Sequence, residues 1–261
     1  MIFQESHLPL LSGNDYKMIV ISCYFGKKLT GVYKAPMDSK CFFFSNNPKI
    51  RRAAKSKGWE FIFVEHMPLT YDYRIASLQS KYIKFLQFDK KKIGWIKGES
   101  ILYFDHKLEV QLEHIQEAEK ICKTEVLIRN HPEEKLHIQD EIDEAIGQKR
   151  YAEVMDKTVD WVEGKIKFEN YSSSNRIMAT GFILYTNLKP IQKLCDDVYN
   201  ACSLLGQPEC QIIWGVLSQK FEKNITRIDW KKLDIHWKTP KPSLVGKLYN
   251  LTIRLLYGKQ K

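Results

Sequence analysis

The chain has 261 residues, of which 44% are hydrophobic and 28% charged, and this composition fits one large globular domain with or without small appendages. The formal net charge is +10, but residues 231–261 hold eight Lys or Arg against one Asp, which leaves 33 basic against 30 acidic residues before them. A nucleic-acid partner needs a contiguous basic face on the folded domain. The charge distribution therefore argues against nucleic-acid binding.

The six cysteines form no CxxC pair and lie mostly in apolar patterns, which predicts buried thiols in a reducing compartment. No apolar run reaches the roughly 18 to 20 residues that span a bilayer. Residues 1–17 lack the basic and long apolar regions of a secretory signal. These features predict a cytoplasmic protein.

Apolar runs with strand character alternate with helical patterns along most of the chain. The predicted strands cover residues 18–25, 41–45, 59–65, 101–105, 126–130, 179–185 and 225–230. The predicted helices cover residues 47–58, 74–88, 111–122, much of 133–162, 188–205 and 208–221. Such alternation predicts an α/β fold with a mixed, mainly parallel sheet flanked by helices.

The C-terminal residues 243–261 place Leu244, Leu248, Leu251 and Leu255 at helical spacing among basic residues. This pattern is typical of an amphipathic helix on an anionic membrane, and equally of a helix docked on the core with a solvated basic face. We predict three segments, namely an N-terminal extension over 1–17, a globular domain over 18–242 and the basic helix over 243–261.

Residues just after strands are the first candidates for a site, because ligands of open α/β sheets bind beyond the carboxyl ends of the strands. Tyr24, Phe25 and Gly26 lie at the end of the first strand, and His131 follows the fifth. The fourth strand, in ESILYFDHKLEV, ends abruptly in a carboxylate, an imidazole and an ammonium at residues 105–107. This edge of the sheet is a candidate ligand site.

Asp105 could hold a divalent cation that bridges to a diphosphate, or could simply cap the next turn. His236 and Lys238, after the last strand, offer an imidazole ligand beside a cation suited to phosphate. The alternative for His236 is an ordinary structural histidine.

Arg74 and Lys81 lie seven residues apart and therefore share a helix face, either toward a phosphate or ribose or toward solvent. Glu209 begins another helix, where its charge complements the helix dipole. In a functional site, Glu209 or the amide of Gln211 would instead face a polyol.

Taken in order, the pieces ISCYFG, RIASLQSKYIKF, ILYFDHK, ATGFILY, ECQIIW and HWKTPKP resemble a nucleotide-sugar glycosyltransferase of the GT-A fold. The resemblance covers roughly residues 18–242. Within that fold, the sequence looks closest to the glycosyltransferase-like domain of plant pollen and seed-mucilage proteins and of bacterial polysaccharide loci. Two positions depart from the family's pattern: Lys107 replaces the second Asp of DxD, and Cys210 replaces the Asp of the Asp-Gln pair.

The resemblance implies transfer of a sugar from a nucleoside-diphosphate sugar to a glycan or lipid-linked acceptor in polysaccharide or lipopolysaccharide synthesis. The implied location is the cytoplasm, with the basic helix as a peripheral contact at the inner face of the membrane. Glu209 and His131 are the candidate bases, and Gln211 faces the donor sugar or acceptor. Either Asp105 with His236 would hold Mn²⁺ or Mg²⁺, or Lys107 would replace part of the cation's charge at the diphosphate. The implied donor and nucleotide residues are Tyr24, Phe25, Gly26, Arg74, Lys81, Asp105, Lys107 and Lys238.

Two other functions stay open at this point. The departures at Lys107 and Cys210 fit a catalytically degenerate protein that binds nucleotide sugars. A nucleotidyl- or phosphotransferase would also need carboxylates and cations at a sheet edge, although the sequence has no GxGxxG and no Walker-type phosphate loop.

Overall fold

The structure, a computed structural model, describes residues 18–257, so the extension predicted for residues 1–17 lies outside the described residues. The strands are β1 (Met18–Cys23), β2 (Cys41–Ser45), β3 (Glu60–Phe63), β4 (Ser100–Phe104), β5 (Val126–Asn130), β6 (Met178–Tyr185) and β7 (Ile225–Ile228). The helices are α1 (Arg51–Lys55), α2 (Tyr73–Lys84), α3 (Leu112–Ile121), α4 (Ile138–Ile146), α5 (Lys149–Ala152), α6 (Met155–Glu169), α7 (Gln192–Leu205), α8 (Cys210–Leu217) and α9 (Leu244–Tyr257).

The strands form one seven-stranded sheet in the order β3-β2-β1-β4-β6-β5-β7. All neighbouring pairs are parallel except the two that involve β6, which runs antiparallel to β4 and β5. This topology confirms the predicted α/β class with a mixed, mainly parallel sheet. The reversal of β6 was not predicted, because apolar periodicity identifies a strand but not its direction.

Both faces of the sheet are covered by helices, which explains why the central strands are mostly apolar and buried on both faces. In β1, Ile19 and Ile21 belong to the apolar core under α2, α4, α7 and α8, while Met18 and Val20 belong to the core under α1 and α3. Alternate residues of a strand point to opposite faces, so one strand supplies both cores.

The polar stretch 133–162 that was predicted to be helical forms three consecutive helices, α4 to α6. Amphipathic α4 buries Ile138 and Ile142 and packs against α8. Within residues 18–257, no helix combines the length and the apolar character needed to cross a bilayer.

Candidate functional site

A cleft of about 470 Å³ opens at the carboxyl ends of β1, β4 and β5. From β1 the chain proceeds to β2 on one side of the sheet, while β4 pairs on the other side. This divergence makes the β1–β4 edge a topological switch point, which is where open α/β sheets bind ligands. The antiparallel β6 contributes its beginning, Ala179 to Gly181, to the same edge.

The loop after β1 forms one wall of the cleft and is held by two asparagines. Asn46 accepts the backbone N–H of Gly26 at 3.2 Å, and the side-chain amide of Asn47 donates to the Gly26 carbonyl at 3.0 Å. Gly26 has a φ of 113°, which is a conformation that glycine adopts readily. The two asparagines that follow β2 therefore hold the loop that carries Tyr24 and Phe25 to the cleft.

Helix α2 forms a second wall. Asp72 caps its first turn by accepting the backbone N–H groups of Arg74 and Ile75. One face of the helix lines the cleft, because residues three or four apart share a face. This face consists of Tyr73, Ala76, Ser77, Ser80, Lys81 and Lys84.

Asp105 lies on the floor of the cleft, beside a lysine that is almost completely buried. The Lys84 ammonium is 3.3 Å from Oδ1 of Asp105, and the Tyr103 hydroxyl donates to the same oxygen at 2.5 Å. Burial raises the pKa of Asp105, but Lys84 and Lys81 outweigh it and hold the pKa below its usual value. Burial likewise lowers the pKa of Lys84, but the negative charge of Asp105 and other nearby groups outweighs burial, so the pKa lies above its usual value.

The other two residues of the Asp-His-Lys turn have different surroundings. His106 meets the ring of Tyr24 edge to face at 4.9 Å, and burial lowers its pKa to about 4, so this imidazole is neutral at pH 7. The Lys107 ammonium lies 5.5 Å from the centre of the Trp237 ring. Lys107 is thus a cation at the cleft without a carboxylate ion pair among the described residues.

Gly181 allows the floor of the cleft to pack closely. A Cβ atom at this position would lie 3.1 Å from the Trp237 ring and 3.2 Å from Oδ2 of Asp105. The Gly181 carbonyl also accepts the backbone N–H of Asp105 at 2.8 Å. A side chain here would push on the residues that shape the cleft.

Arg129 is a fully buried cation at the back of the cleft. Its guanidinium lies 3.9 Å from the centre of the Trp230 ring, and its Nη1 donates to the Ile235 carbonyl at 3.1 Å. Within the described residues, no group accepts from its Nε and Nη2 atoms. Burial lowers the pKa of Arg129 to about 10, so the side chain stays charged at neutral pH.

Glu209 caps α8 on the opposite side of the cleft. Its Oε1 accepts the backbone N–H of Gln211 at 3.1 Å, and the Tyr151 hydroxyl forms a hydrogen bond with its side chain. The amide of Gln211 donates to Glu141 at 2.9 Å. The cleft wall therefore continues into a second group of carboxylates.

That second group surrounds Lys135, whose ammonium forms ion pairs with Glu141 and Glu144. Burial and the nearby Glu209 raise the pKa of Glu141 to about 7. His131 lies at the boundary between this group and the cleft, with its Nε2 atom 3.9 Å from Glu141. Burial and Lys135 lower the pKa of His131, so its ring is neutral at pH 7.

The cleft is cationic and aromatic. Among the described residues, seven Lys or Arg line it against two carboxylates, those of Asp105 and Glu209. Such an excess of positive charge in a concave site favours an anionic ligand. The basic lining residues are Lys27, Lys28, Lys81, Lys84, Lys107, Arg129 and Arg150, and the aromatic ones are Tyr24, Phe25, Tyr71, Tyr73, Tyr103, Tyr151, Trp230 and Trp237.

Most of the residues singled out from the sequence meet at this cleft. Those that line it are Tyr24, Phe25, Gly26, Lys81, Asp105, Lys107, His131, Glu209 and Gln211. Arg74 does not line it; it lies at the margin of the α2 face and donates to Glu153 at 2.9 Å.

His236 and Lys238 also lie outside the lining of the cleft. The segment around them is extended, as shown by the bridge between Leu108 and Trp237. Neighbours in extended chain point to opposite sides. Because Trp237 faces the cleft, His236 points elsewhere, and its Nε2 lies 3.2 Å from the exposed Asp234.

The residues at the cleft do not fit the divalent cation that the GT-A resemblance implies. Mg²⁺ and Mn²⁺ need several oxygen ligands, but Oδ1 of Asp105 already meets Lys84 and Tyr103. Lys107 stands where the family has a second Asp, and the predicted pairing of Asp105 with His236 gains no support from the exposed position of His236.

At a second group of possible metal ligands, a lysine again occupies the carboxylates. His131, Glu141 and Glu144 bring one ligand atom each within 4.8 Å of one another. The ammonium of Lys135 already pairs with both of these carboxylates. In both places a lysine of the chain itself supplies the positive charge.

Sequence reasoning missed several residues of the site. Lys84 had a signal, since it lies three residues after Lys81 on the helix face that was singled out. Arg129 had one as well, as a lone cation inside the apolar strand VLIRN. Glu141 and Gly181 had none, because their importance depends on contacts between segments far apart in the chain.

Known proteins of similar structure are distant. No family model and no curated protein matches this chain. A CMP:2-keto-3-deoxy-manno-octonic acid synthetase complexed with CTP is 8% identical, covering 92% of this chain and 99% of that chain with a TM-score of 0.37. The galactosyltransferase LgtC with donor and acceptor sugar analogs is 11% identical, covering 80% and 73% with a TM-score of 0.40.

A putative glucose-1-phosphate thymidylyltransferase from Bacillus anthracis is 12% identical, covering 91% of this chain and 95% of that chain with a TM-score of 0.39. At this level of similarity, the fold class rests on the strand order of the sheet itself. The closer likeness to plant mucilage and bacterial polysaccharide proteins stays a prediction.

Proposed function

We propose that the protein is a glycosyltransferase that moves a sugar from a nucleoside-diphosphate sugar to an acceptor hydroxyl. The observation that carries this proposal is the cleft at the sheet's switch point, which joins an excess of cations to aromatic rings and to the carboxylate of Glu209. A diphosphate fits the cations, and rings of this kind pack against a nucleobase or a sugar. The GT-A resemblance of the sequence points to the same reaction.

The leaving group of this reaction is a nucleoside diphosphate, whose developing charge must be stabilised. Lys107 and Lys81 are the residues to which we assign this role. The ion pair of buried Lys84 with Asp105 holds the floor in place. In this proposal lysine side chains provide the charge that a divalent cation would otherwise supply.

Glu209 is the better candidate for the group that takes the proton of the acceptor hydroxyl. Its carboxylate lines the cleft, and Tyr151 and the start of α8 orient it. In His131, Nδ1 already accepts the backbone N–H of Glu133 at 3.3 Å. The proton of the neutral ring is then on Nε2, so His131 has no free acceptor for a hydroxyl proton.

The acceptor in this proposal is a glycan or a lipid-linked sugar of polysaccharide or lipopolysaccharide synthesis, at the cytoplasmic side of the membrane. This part follows from the resemblance and from the basic C-terminal helix. Arg74 and Lys238 do not line the cleft and have no role in the proposed reaction.

The test is to incubate the protein with UDP-, GDP- and CDP-sugars and to measure released nucleoside diphosphate, with and without glycan acceptors. We expect release from one donor class, and we expect Glu209→Gln to bind that donor with unchanged affinity while its turnover falls at least about a hundredfold, as for a lost general base. Release that does not depend on Glu209 would contradict its role.

A second candidate is a protein of the same fold that binds nucleotide sugars without transferring them. Two observations favour it, namely the lysine at position 107 and the pairing of Asp105 with Lys84. Under this alternative a nucleotide sugar would bind at the cleft, but neither hydrolysis nor transfer would occur with any acceptor. The same experiment therefore separates the two candidates.

A further inference from the structure

Helix α9 turns a row of apolar side chains away from the protein. Leu244, Leu248, Leu251 and Leu255 lie at i, i+4, i+7 and i+11 and so share one face. All four and the adjacent Val245 are exposed, from 52% for Leu251 to 74% for Val245. A helix that simply docks on a core buries its apolar face, and α9 does the opposite.

The other face of α9 holds the helix to the domain. The side chain of Asn250 accepts the backbone N–H of Leu29 and donates to the Leu29 carbonyl, both at 2.7 Å. Ile253 is buried, and a Cβ on Gly246 would lie 3.7 Å from Leu29. The paired hydrogen bonds of Asn250 fix the rotation of the helix, and with it the outward direction of the leucine row.

The surroundings of the leucine row are basic. Lys247 and Arg254 lie on α9 itself, and residues 235–257 contain four Lys or Arg and no Asp or Glu. Lys49, from the turn after β2, places its ammonium 4.0 Å from the centre of the Tyr249 ring. An apolar row with cations on its flanks is complementary to an anionic lipid surface, in which leucines enter the acyl boundary and lysines meet the headgroups.

We infer that the exposed face of α9 binds peripherally to an anionic bilayer. The helix lies along the membrane surface, while Asn250 keeps it attached to the loop at Leu29. Lys27 and Lys28, the residues just before Leu29, line the cleft. Binding through α9 therefore brings this wall of the cleft toward the membrane, and the inference does not depend on which reaction the cleft performs.

The test is co-sedimentation of the full chain with vesicles of phosphatidylcholine alone and with vesicles containing about a third phosphatidylserine. We expect binding only to the anionic vesicles. Leu248→Ser combined with Leu251→Ser should weaken this binding about tenfold or more, because two apolar side chains no longer enter the bilayer. Lys247→Gln combined with Arg254→Gln should weaken binding and reduce its dependence on salt.

A matched control is Leu136→Ser combined with Leu204→Ser, two exposed leucines outside α9. This variant should bind vesicles like the wild type. Unfolding midpoints and sedimentation equilibrium without lipid complete the test. Absence of binding to anionic vesicles overturns the inference. A wild-type dimer that the α9 leucine variant abolishes also overturns it, and so does a clear loss of stability in that variant. Either of these two results shows that protein, rather than lipid, covers the leucine row.

Discussion

Two buried lysines, Lys84 and Lys135, differ in the number of carboxylates that surround them. Each side chain is nearly inaccessible, and each ammonium lies beside a carboxylate. Among residues 18–257, Lys84 has one such partner, Asp105. Lys135 has Glu133, Glu141 and Glu144 within 4.0 Å.

The difference lies in the charge that remains after pairing. Around Lys135 the carboxylates outnumber the cation, so the charge of Lys135 is fully balanced and the group has a net negative charge. Around Lys84 the single carboxylate is neutralised, and the cleft keeps the charges of Lys81, Lys107 and Arg129. A buried lysine can thus stabilise the fold in one place and, in the other, leave neighbouring cations available for an anionic ligand.

The largest expected effect comes from removing the one partner of Lys84. Asp105→Asn leaves a buried ammonium without a counter-charge, which should lower the free energy of unfolding by about 3–5 kcal/mol in urea titrations. The comparison predicts a much smaller cost for Glu144→Gln, no more than about 1 kcal/mol, because this carboxylate is partly exposed and Lys135 retains Glu141. If the two variants lose the same free energy of unfolding, the number of carboxylate partners does not distinguish the two lysines.

The second prediction concerns pH and Glu141. Its pKa of about 7 in the folded protein exceeds the usual glutamate pKa of 4.5, so the folded state binds more protons between these pH values. This contribution to stability is complete below pH 4.5 and is lost as the pH rises through 7, by at most about 3 kcal/mol.

Urea titrations from pH 4.5 to 7.5 should show that Glu141→Gln lacks this decline. Glu133→Gln removes a mostly exposed carboxylate near the same lysine and should keep the decline. If the two variants follow the same pH profile, the buried position of Glu141 does not control it.

The third prediction concerns the floor of the cleft. Gly181→Ala should lower the free energy of unfolding by about 1–3 kcal/mol, because its methyl group crowds Trp237 and Asp105. Gly164→Ala is the matched control: nothing lies within 4 Å of its added methyl group, and it sits inside α6. There alanine should raise stability by about 0.5–1 kcal/mol, and a loss at both positions would show that packing at Gly181 is not special.

The smallest expected effect is on affinity. Lys107→Gln should weaken binding of a nucleoside diphosphate about tenfold in calorimetry, as for one lost charged hydrogen bond. Lys238→Gln should leave the affinity unchanged, since Lys238 lies outside the cleft lining. The reverse result would restore the role that the sequence resemblance gave to Lys238.

The sequence was sufficient for the class of fold because the β1, β4 and β5 runs are apolar on both faces and the helices between them are amphipathic. It also located much of the site, since residues after parallel strands must meet at one edge of the sheet. His236 lies outside the cleft lining, because an extended segment points alternate residues to opposite sides and Trp237 faces the cleft. Its predicted role stays a prediction.

The pairing of Asp105 with Lys84 could not be predicted from spacing. It depends on how α2 lies over the sheet, which is set by the packing of many residues rather than by a local pattern. The same is true of α9, whose amphipathic pattern was visible while the face that docks was not. The contact of Asn250 with Leu29 and the burial of Ile253 show which side faces the domain.

The most direct test of the account is a thermal-shift titration with UDP, GDP and CDP, each in excess EDTA and in manganese. We predict that one nucleotide stabilises the protein to the same extent in both conditions, by about 2.7 kcal/mol at a hundredfold excess over its dissociation constant. This result would show that the chain's own lysines hold the diphosphate. Stabilisation only in manganese, or none with any nucleotide, would contradict that claim.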